Sequence, residues 1–167
     1  MPLNPEISRF IREHLDDNPD QLLWKKNEYP DDRVVVAVEQ IQARENIKEK
    51  LPLWYACRDI FYPSKLSTEQ CSSETTAPYK ARLATGNSLC DLTGGLGVDT
   101  YFFSRQVDKV TYVERDKSYC EAARFNFLAL GATNIEVIHA DATTVANQVI
   151  ADTYYIDHAR RTTDNKR

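Results

Sequence analysis

Leu89-Cys90-Asp91-Leu92-Thr93-Gly94-Gly95-Leu96-Gly97-Val98-Asp99 is the stretch around which the chain is organised. It reads as the end of a buried strand, a glycine-rich turn and the start of a helix. Three of the chain's five glycines stand in it. Glycine is costly in regular structure, so such a cluster needs a reason: positive φ, or close approach of backbone to a ligand. A strand running through a glycine turn into a helix start leaves free backbone N–H groups facing a ligand.

Outward from that turn, strands and helices alternate. Residues 89–92 read as strand one, 98–105 as a helix, 109–114 as strand two, 135–139 as strand three, 143–150 as a short helix and 153–157 as strand four. Between strands two and three, Asp116 reads as the cap of a helix in which Tyr119, Ala123, Phe127 and Leu130 share one face and Gly131 is the stop. A βαβαβαβ series predicts an open parallel sheet covered on both faces. The fold class is therefore α/β, the first half of a Rossmann-like parallel sheet, preceded by a mainly helical N-terminal region. The division falls into residues 1–65 and 66–167.

Upstream, Asn4-Pro5 reads as an N-cap and first helical position, with Ile7, Phe10, Ile11 and Leu15 on one face of a helix over 5–16. Asn18-Pro19-Asp20 starts a second short helix, and Tyr29-Pro30-Asp31-Asp32 is a break. The run Val34-Val35-Val36 favours a strand, whereas Ala37, Ile41 and Ile47 among Glu, Gln and Lys favour a helix; the reading taken is a helix over 33–50, ended by Pro52. Trp54, Phe61 and Tyr62 read as packing residues under an irregular segment. Arg33, Arg44, Lys48 and Lys50 read as a solvated helix face or a weak basic one. Gln70-Cys71-Ser72-Ser73-Glu74 precedes a helical run through Tyr79, Leu83 and Ala84, capped by Thr75 or Thr76. It is either a capped linker or a lip over the ligand pocket.

Composition limits the function classes. The chain has 167 residues, 42% of them apolar, as in a globular protein. A net charge of −4 gives no polybasic footprint, so any nucleic-acid partner must be held by a local patch or by further sequence. Cys57, Cys71, Cys90 and Cys120 show neither CxxC spacing nor a histidine partner at metal-ligand distance, so no metal site is expected. The pattern suits a reducing compartment and predicts a cytoplasmic protein. The longest wholly apolar run, 34–38, is too short to span a bilayer, and no membrane partner is expected. Oligomeric state is not readable.

Three acids stand at strand ends, where such sheets bind ligands. Asp91 ends strand one, Glu114 ends strand two and Asp141 follows strand three. An acid at the end of strand two suits a ribose diol, whose hydroxyls a carboxylate accepts. A group after strand three suits the exocyclic amine of adenine. Together the three indicate an adenosine-containing ligand. A dinucleotide fingerprint needs a third glycine, and Thr100 stands near its place. Asp99 also puts negative charge at the helix start, where a pyrophosphate would sit. S-adenosylmethionine (SAM) carries a sulfonium and an ammonium and no phosphate, and the sequence favours it over NAD.

The segment Asp91-Leu92-Thr93-Gly94-Gly95-Leu96-Gly97 resembles motif I of the class I SAM-dependent methyltransferases. The chain is most like RNA methyltransferases of the trimethylguanosine-synthase type and a bacterial group with an additional THUMP-like domain. The resemblance spans about residues 66–161. Glu114-Arg115-Asp116 with Ala122-Ala123-Arg124-Phe125-Asn126 looks like their ribose-binding acid and following helix, and Ala140-Asp141-Ala142 like their adenine contact. It implies cofactor contacts from Asp91, Thr93, Gly94, Gly95 and Gly97 at the turn, from Glu114, Asp141 and Ala142 at the strand ends, and from Gln70 and Ser72 in the lip. Tyr155-Ile156-Asp157-His158 sits where the family's motif IV falls, with His158 in place of the usual proline. Asp157 is then the catalytic candidate, holding a target amine on an RNA base. His158 is either a base or a loop substitute for proline, and Arg160 and Arg161 either hold phosphate or are solvated.

The resemblance implies a methyltransferase acting on rRNA or tRNA. Two rivals stand beside it: a non-catalytic remnant that binds SAM or a partner, and an NAD-linked oxidoreductase, which Thr100 disfavours. Strand four belongs at the middle of a doubly wound sheet. The chain is accordingly expected to be the front part of a longer methyltransferase, or a gene product cut short, and inactive alone.

Overall fold

A computed structural model describes residues 4–29 and 31–157. His158, Arg160, Arg161 and Pro30 lie outside the described residues. The helical N-terminal part begins with α1 (Pro5–His14) and α2 (Pro19–Trp24), each opened by an asparagine. The Asn4 side chain accepts from Glu6 N–H, and that of Asn18 from Asp20 and Gln21 N–H, while proline fills the position where a backbone donor is not needed. The long helix α3 (Arg33–Ile47) follows. Its apolar residues Val34, Ala37, Val38 and Ile41 recur at helical spacing and pack on Phe10 and Leu22, which decides against a strand for the valine run.

After α3 the chain departs from the sequence reading. The helix stops at Ile47 rather than residue 50. Pro52, expected only as a breaker, opens a further helix, α4 (Pro52–Ala56), with Pro52 in the first turn. Its cap is remote: one Glu74 carboxylate oxygen accepts from both Leu53 N–H (2.8 Å) and Trp54 N–H (3.2 Å). Another short helix, α5 (Lys65–Gln70), is capped by Ser64 at its start, and Lys50 donates to the Thr68 and Glu69 carbonyls at its end. In α6 (Thr76–Ala81) the capping hydroxyl belongs to Ser73, not to Thr75 or Thr76, and the helix ends before Leu83. The basic residues of α3 also differ from a solvated face. Arg44 is buried, donates to the Tyr55 carbonyl and lies 3.9 Å over the Tyr55 ring.

The remainder is a parallel sheet of β1 (Ser88–Asp91), β2 (Lys109–Glu114), β3 (Ile135–His139) and β4 (Thr153–Tyr155), in the order β3-β2-β1-β4. The connecting helices are α7 (Val98–Phe103), α8 (Lys117–Ala129) and α9 (Ala142–Val145). β2 and β3 have the expected limits. β1 starts one residue early because Ser88 pairs with Lys109, β4 ends at Tyr155 rather than residue 157, α7 ends at Phe103 rather than 105, and α9 covers only the start of 143–150. β4 pairs with β1 and is the last strand of the sheet among the described residues, with Tyr154 and Ile156 exposed.

One core joins the two parts of the chain. Ala43, Ile47, Leu51, Trp54, Ile60 and Tyr62 pack with Leu96, Val98, Tyr101, Tyr112, Ala123 and Phe127. The extended segment around Phe61 is held from both sides by side-chain amides. Buried Gln40 of α3 exchanges two hydrogen bonds with the Tyr62 backbone (2.8 and 2.9 Å), and buried Asn126 of α8 does the same for Phe61 (2.8 Å each). An irregular segment can be buried only if its backbone groups find such partners. The opposite face of the sheet carries Cys90, Val113 and Ile138 against Ala142, Val145 and Val149. No helix among the described residues is long and apolar enough to cross a membrane.

Candidate active site

The turn between β1 and α7 is braced from beneath by a buried acid. Asp91 is 1% exposed. One carboxylate oxygen accepts from the Thr100 hydroxyl (2.6 Å), the other from Thr93 N–H (3.0 Å). Burial pushes its carboxyl up to about 6, against the lowering effect of those hydrogen bonds. Thr100, which stands where a dinucleotide fold would place glycine, thus has a definite use: its hydroxyl ties α7 to β1.

The three glycines divide the work. A Cβ on Gly94 would lie 2.2 Å from the Tyr112 ring, so this residue lets the turn press against β2. Gly97 has φ +89°, and a Cβ there would lie 2.7 Å from Phe127. Gly95 has φ +53°, and its added Cβ would meet only the Thr93 carbonyl, at 3.8 Å. The close approaches are therefore made by Gly94 and Gly97, both to aromatic side chains of the protein; of the three, Gly95 alone has an open side. The turn is pinned to β2 by Gly94 N–H to the Val113 carbonyl (3.0 Å) and by the Tyr112 hydroxyl to the Gly95 carbonyl (2.6 Å).

Glu114, at the end of β2, is bonded to the same glycine. One carboxylate oxygen accepts from Gly95 N–H (3.0 Å) and the other from Asp116 N–H (2.9 Å). A carboxylate has about four lone-pair sites, so each oxygen retains capacity for a hydroxyl donor. Asp141 lies at the end of the neighbouring strand β3. It is exposed and caps α9 through Thr143, whose hydrogen bonds hold its carboxyl below the usual range. Ala142 is the half-buried first residue of that helix. The structure thus brings Asp91, Thr93, the glycines and Glu114 into one bonded unit, with Asp141 and Ala142 one strand further along.

A second group of residues lies on the other side of the turn. Asp157 donates its N–H to the Thr93 hydroxyl (2.8 Å), which fastens the end of β4 to the turn. Its carboxylate lies 2.9 Å from the Lys80 ammonium and 3.2 Å from the Tyr155 hydroxyl. The same ammonium lies 3.0 Å from the Asp99 carboxylate, which also accepts from Ser72 (2.8 Å). Ser72 is therefore in contact with the start of α7, whereas Gln70 is exposed at the last position of α5. The sequence reading named Asp157 and Ser72, quoted Tyr155 only as the start of the motif IV stretch, and passed over Lys80. Nothing near Lys80 along the chain marks it, because its partners are contributed by segments far from it. Among the described residues no cluster of His, Cys, Asp and Glu suits a metal ion.

No protein-family model and no curated protein matches the chain. A crystal structure of a candidate methyltransferase from Porphyromonas gingivalis is similar, with a TM-score of 0.75 and 29% identity over 85% of this chain and 36% of that one. The chain thus spans about a third of that protein's length. A mutant of MtNAS aligns over 92% of this chain and 61% of the other at 22% identity, but its TM-score of 0.43 carries no argument. The α/β architecture is that of a methyltransferase-like Rossmann sheet.

Proposed function

We propose that this chain is the cofactor-binding part of a SAM-dependent methyltransferase that modifies an RNA base. The observation that carries the reading is the pairing of Gly95 with Glu114: an open-sided glycine whose N–H binds a carboxylate at the end of the adjacent strand. Glycine at that position leaves room for a ligand, and Glu114 offers acceptors for a ribose diol. The likeness to the Porphyromonas gingivalis protein supports methyl transfer as the general chemistry.

The residues around the turn suit the cofactor by charge. The turn is flanked by Glu114, Asp99 and Asp157, with Lys80 as the counter-charge. One Asp99 carboxylate oxygen is buried with no hydrogen-bond partner among the described residues. Such a surrounding suits a cation and opposes a pyrophosphate. SAM, when bound, supplies a methyl group on a sulfonium, already a good leaving group. The protein is left with alignment and desolvation. Glu114 would hold the ribose, Asp141 and Ala142 the adenine, and the Gly94-Gly95 backbone the centre of the ligand. Ser72 and Gln70 belong to the lip over it, and Asp157 would receive the target N–H. The RNA target rests on the motif IV resemblance at Asp157, and cytoplasmic location on the cysteine pattern.

Isothermal titration of the chain with SAM, S-adenosylhomocysteine and NAD tests the cofactor. Binding of the first two and not of NAD is expected; binding of NAD alone refutes the reading. Transfer of labelled methyl from SAM to total RNA tests the substrate class, and a label that enters only protein or small molecules refutes RNA.

A further inference from the structure

Four segments of the chain meet at one cation. The Lys80 ammonium on α6 lies 2.6 Å from the Tyr155 hydroxyl, 2.9 Å from an Asp157 carboxylate oxygen, 2.9 Å from the Ser72 hydroxyl and 3.0 Å from an Asp99 carboxylate oxygen. An ammonium has three protons, so four acceptors saturate it. The Ser72 hydroxyl donates to Asp99, and the Tyr155 hydroxyl is within donating distance of Asp99 (3.1 Å) and Asp157 (3.2 Å), so both hydroxyl oxygens can accept from Lys80. The Lys80 and Asp99 side chains are only 22% and 14% exposed. Burial on its own would push the ammonium down, but the hydrogen bonds to Tyr155, Asp157 and Asp99 together hold it above its ordinary value.

We propose that Lys80 is the positioning residue of the methyl-transfer site: its charge keeps Asp99 and Asp157 ionised side by side and locks the lip, the start of α7 and the end of β4 into one arrangement around the turn. The proposal rests on the SAM reading given above. Two carboxylate oxygens within 3.0 Å of the same nitrogen repel one another, and without that cation one of them keeps its proton to higher pH within the acid range. An ionised Asp157 is acceptor-only, so it presents to a substrate a site for an N–H or O–H donor and no proton of its own. Ser72 lies between α5 and α6, so the same cation makes the position of the lip depend on the charge state at the end of β4.

The other titratable groups facing this cluster are Cys71 in the lip and Asp91 beneath the turn, both within electrostatic reach of Asp99, and Tyr155 itself. Cys71 and Tyr155 are both held above their ordinary values, chiefly by burial, and stay neutral through the acid range.

The test is SAM affinity measured by titration between pH 5 and 6.5 in wild type and Lys80→Met. In the variant one of the two carboxylates retains a proton in the acid range, and a cationic ligand displaces it. Affinity is therefore expected to rise about tenfold more steeply over the window than in wild type, with proton release visible as a buffer-dependent heat. Adding Asp157→Asn to Lys80→Met removes the like-charge pair and should restore the wild-type slope. Parallel profiles for wild type and Lys80→Met overturn the proposal while leaving SAM binding intact. A wild-type chain that does not bind SAM overturns the SAM reading and this proposal together. Lys80→Gln, which keeps the stem and a donor without the charge, carries the same comparison should Lys80→Met not fold.

Discussion

The two halves of the candidate site are built in opposite ways. On one side, the glycine turn and Glu114 are bonded almost wholly within residues 91–116: Asp91 to Thr93 and Thr100, Gly94 to Val113, Gly95 to Glu114, Tyr112 to Gly95. On the other, Lys80 gathers Ser72, Asp99, and Tyr155 with Asp157 from three separate segments. The first is made as soon as two adjacent parallel strands and the turn between them exist. The second exists only when the lip, α6, α7 and β4 have all reached their places. On the proposed reading, a cofactor cradle that forms locally is joined to a rim that depends on the whole fold.

The comparison breaks most sharply at Gly94. Gly94→Ala forces a methyl into the Tyr112 ring and should cost about 3 kcal/mol, read as a lower urea midpoint. Gly95→Ala meets open space and should cost only about 1 kcal/mol, from its left-handed backbone, while weakening SAM far more than stability. Equal losses for the two would mean that the glycines do not divide their roles. Next in size, Asn126→Ala leaves the Phe61 backbone without partners and should cost about 2 kcal/mol. Hydrogen exchange should then quicken at residues 60–76 while 89–97 stay protected. Uniform quickening would erase the distinction between a local cradle and an assembled rim.

A smaller effect is expected from pH. Asp91 has a folded carboxyl near 6, above its ordinary value of 3.8, so the folded state holds a proton that the unfolded state has lost. Its contribution to stability is present below about pH 4 and is lost as pH rises through 6. Between pH 5 and 7.5 that loss is about 1 kcal/mol, and Asp91→Asn should remove it. Urea midpoints of both proteins at the two pH values check this; the same pH dependence in Asp91→Asn assigns the titration elsewhere.

The same contrast explains what was legible in the sequence. β2, β3 and the Asp116-capped α8 follow from patterns within a dozen residues, and they fall where expected. The place of β4 beside β1 follows from the doubly wound topology that such an alternation suggests. α4 and α5 were not legible, because Pro52 serves equally to end one helix and to open another, and the cap of α4 comes from Glu74 in a remote loop. Arg44 looked like a surface charge because its carbonyl and its aromatic partner, both in Tyr55, are contributed by a later segment. Lys80 is the extreme case: each of its polar partners depends on tertiary structure, so no spacing rule could mark it.

The cradle itself is tested most directly by titrating SAM into wild type and two Glu114 variants whose fold is verified by circular dichroism. Glu114→Gln keeps an acceptor for Gly95 N–H and loses the charge; Glu114→Ala loses both. The expected result is tight binding in wild type, a weakening of about 1–3 kcal/mol in Glu114→Ala and an intermediate loss in Glu114→Gln. Unchanged SAM affinity in a folded Glu114→Ala protein would contradict the assignment of this turn as the cofactor site.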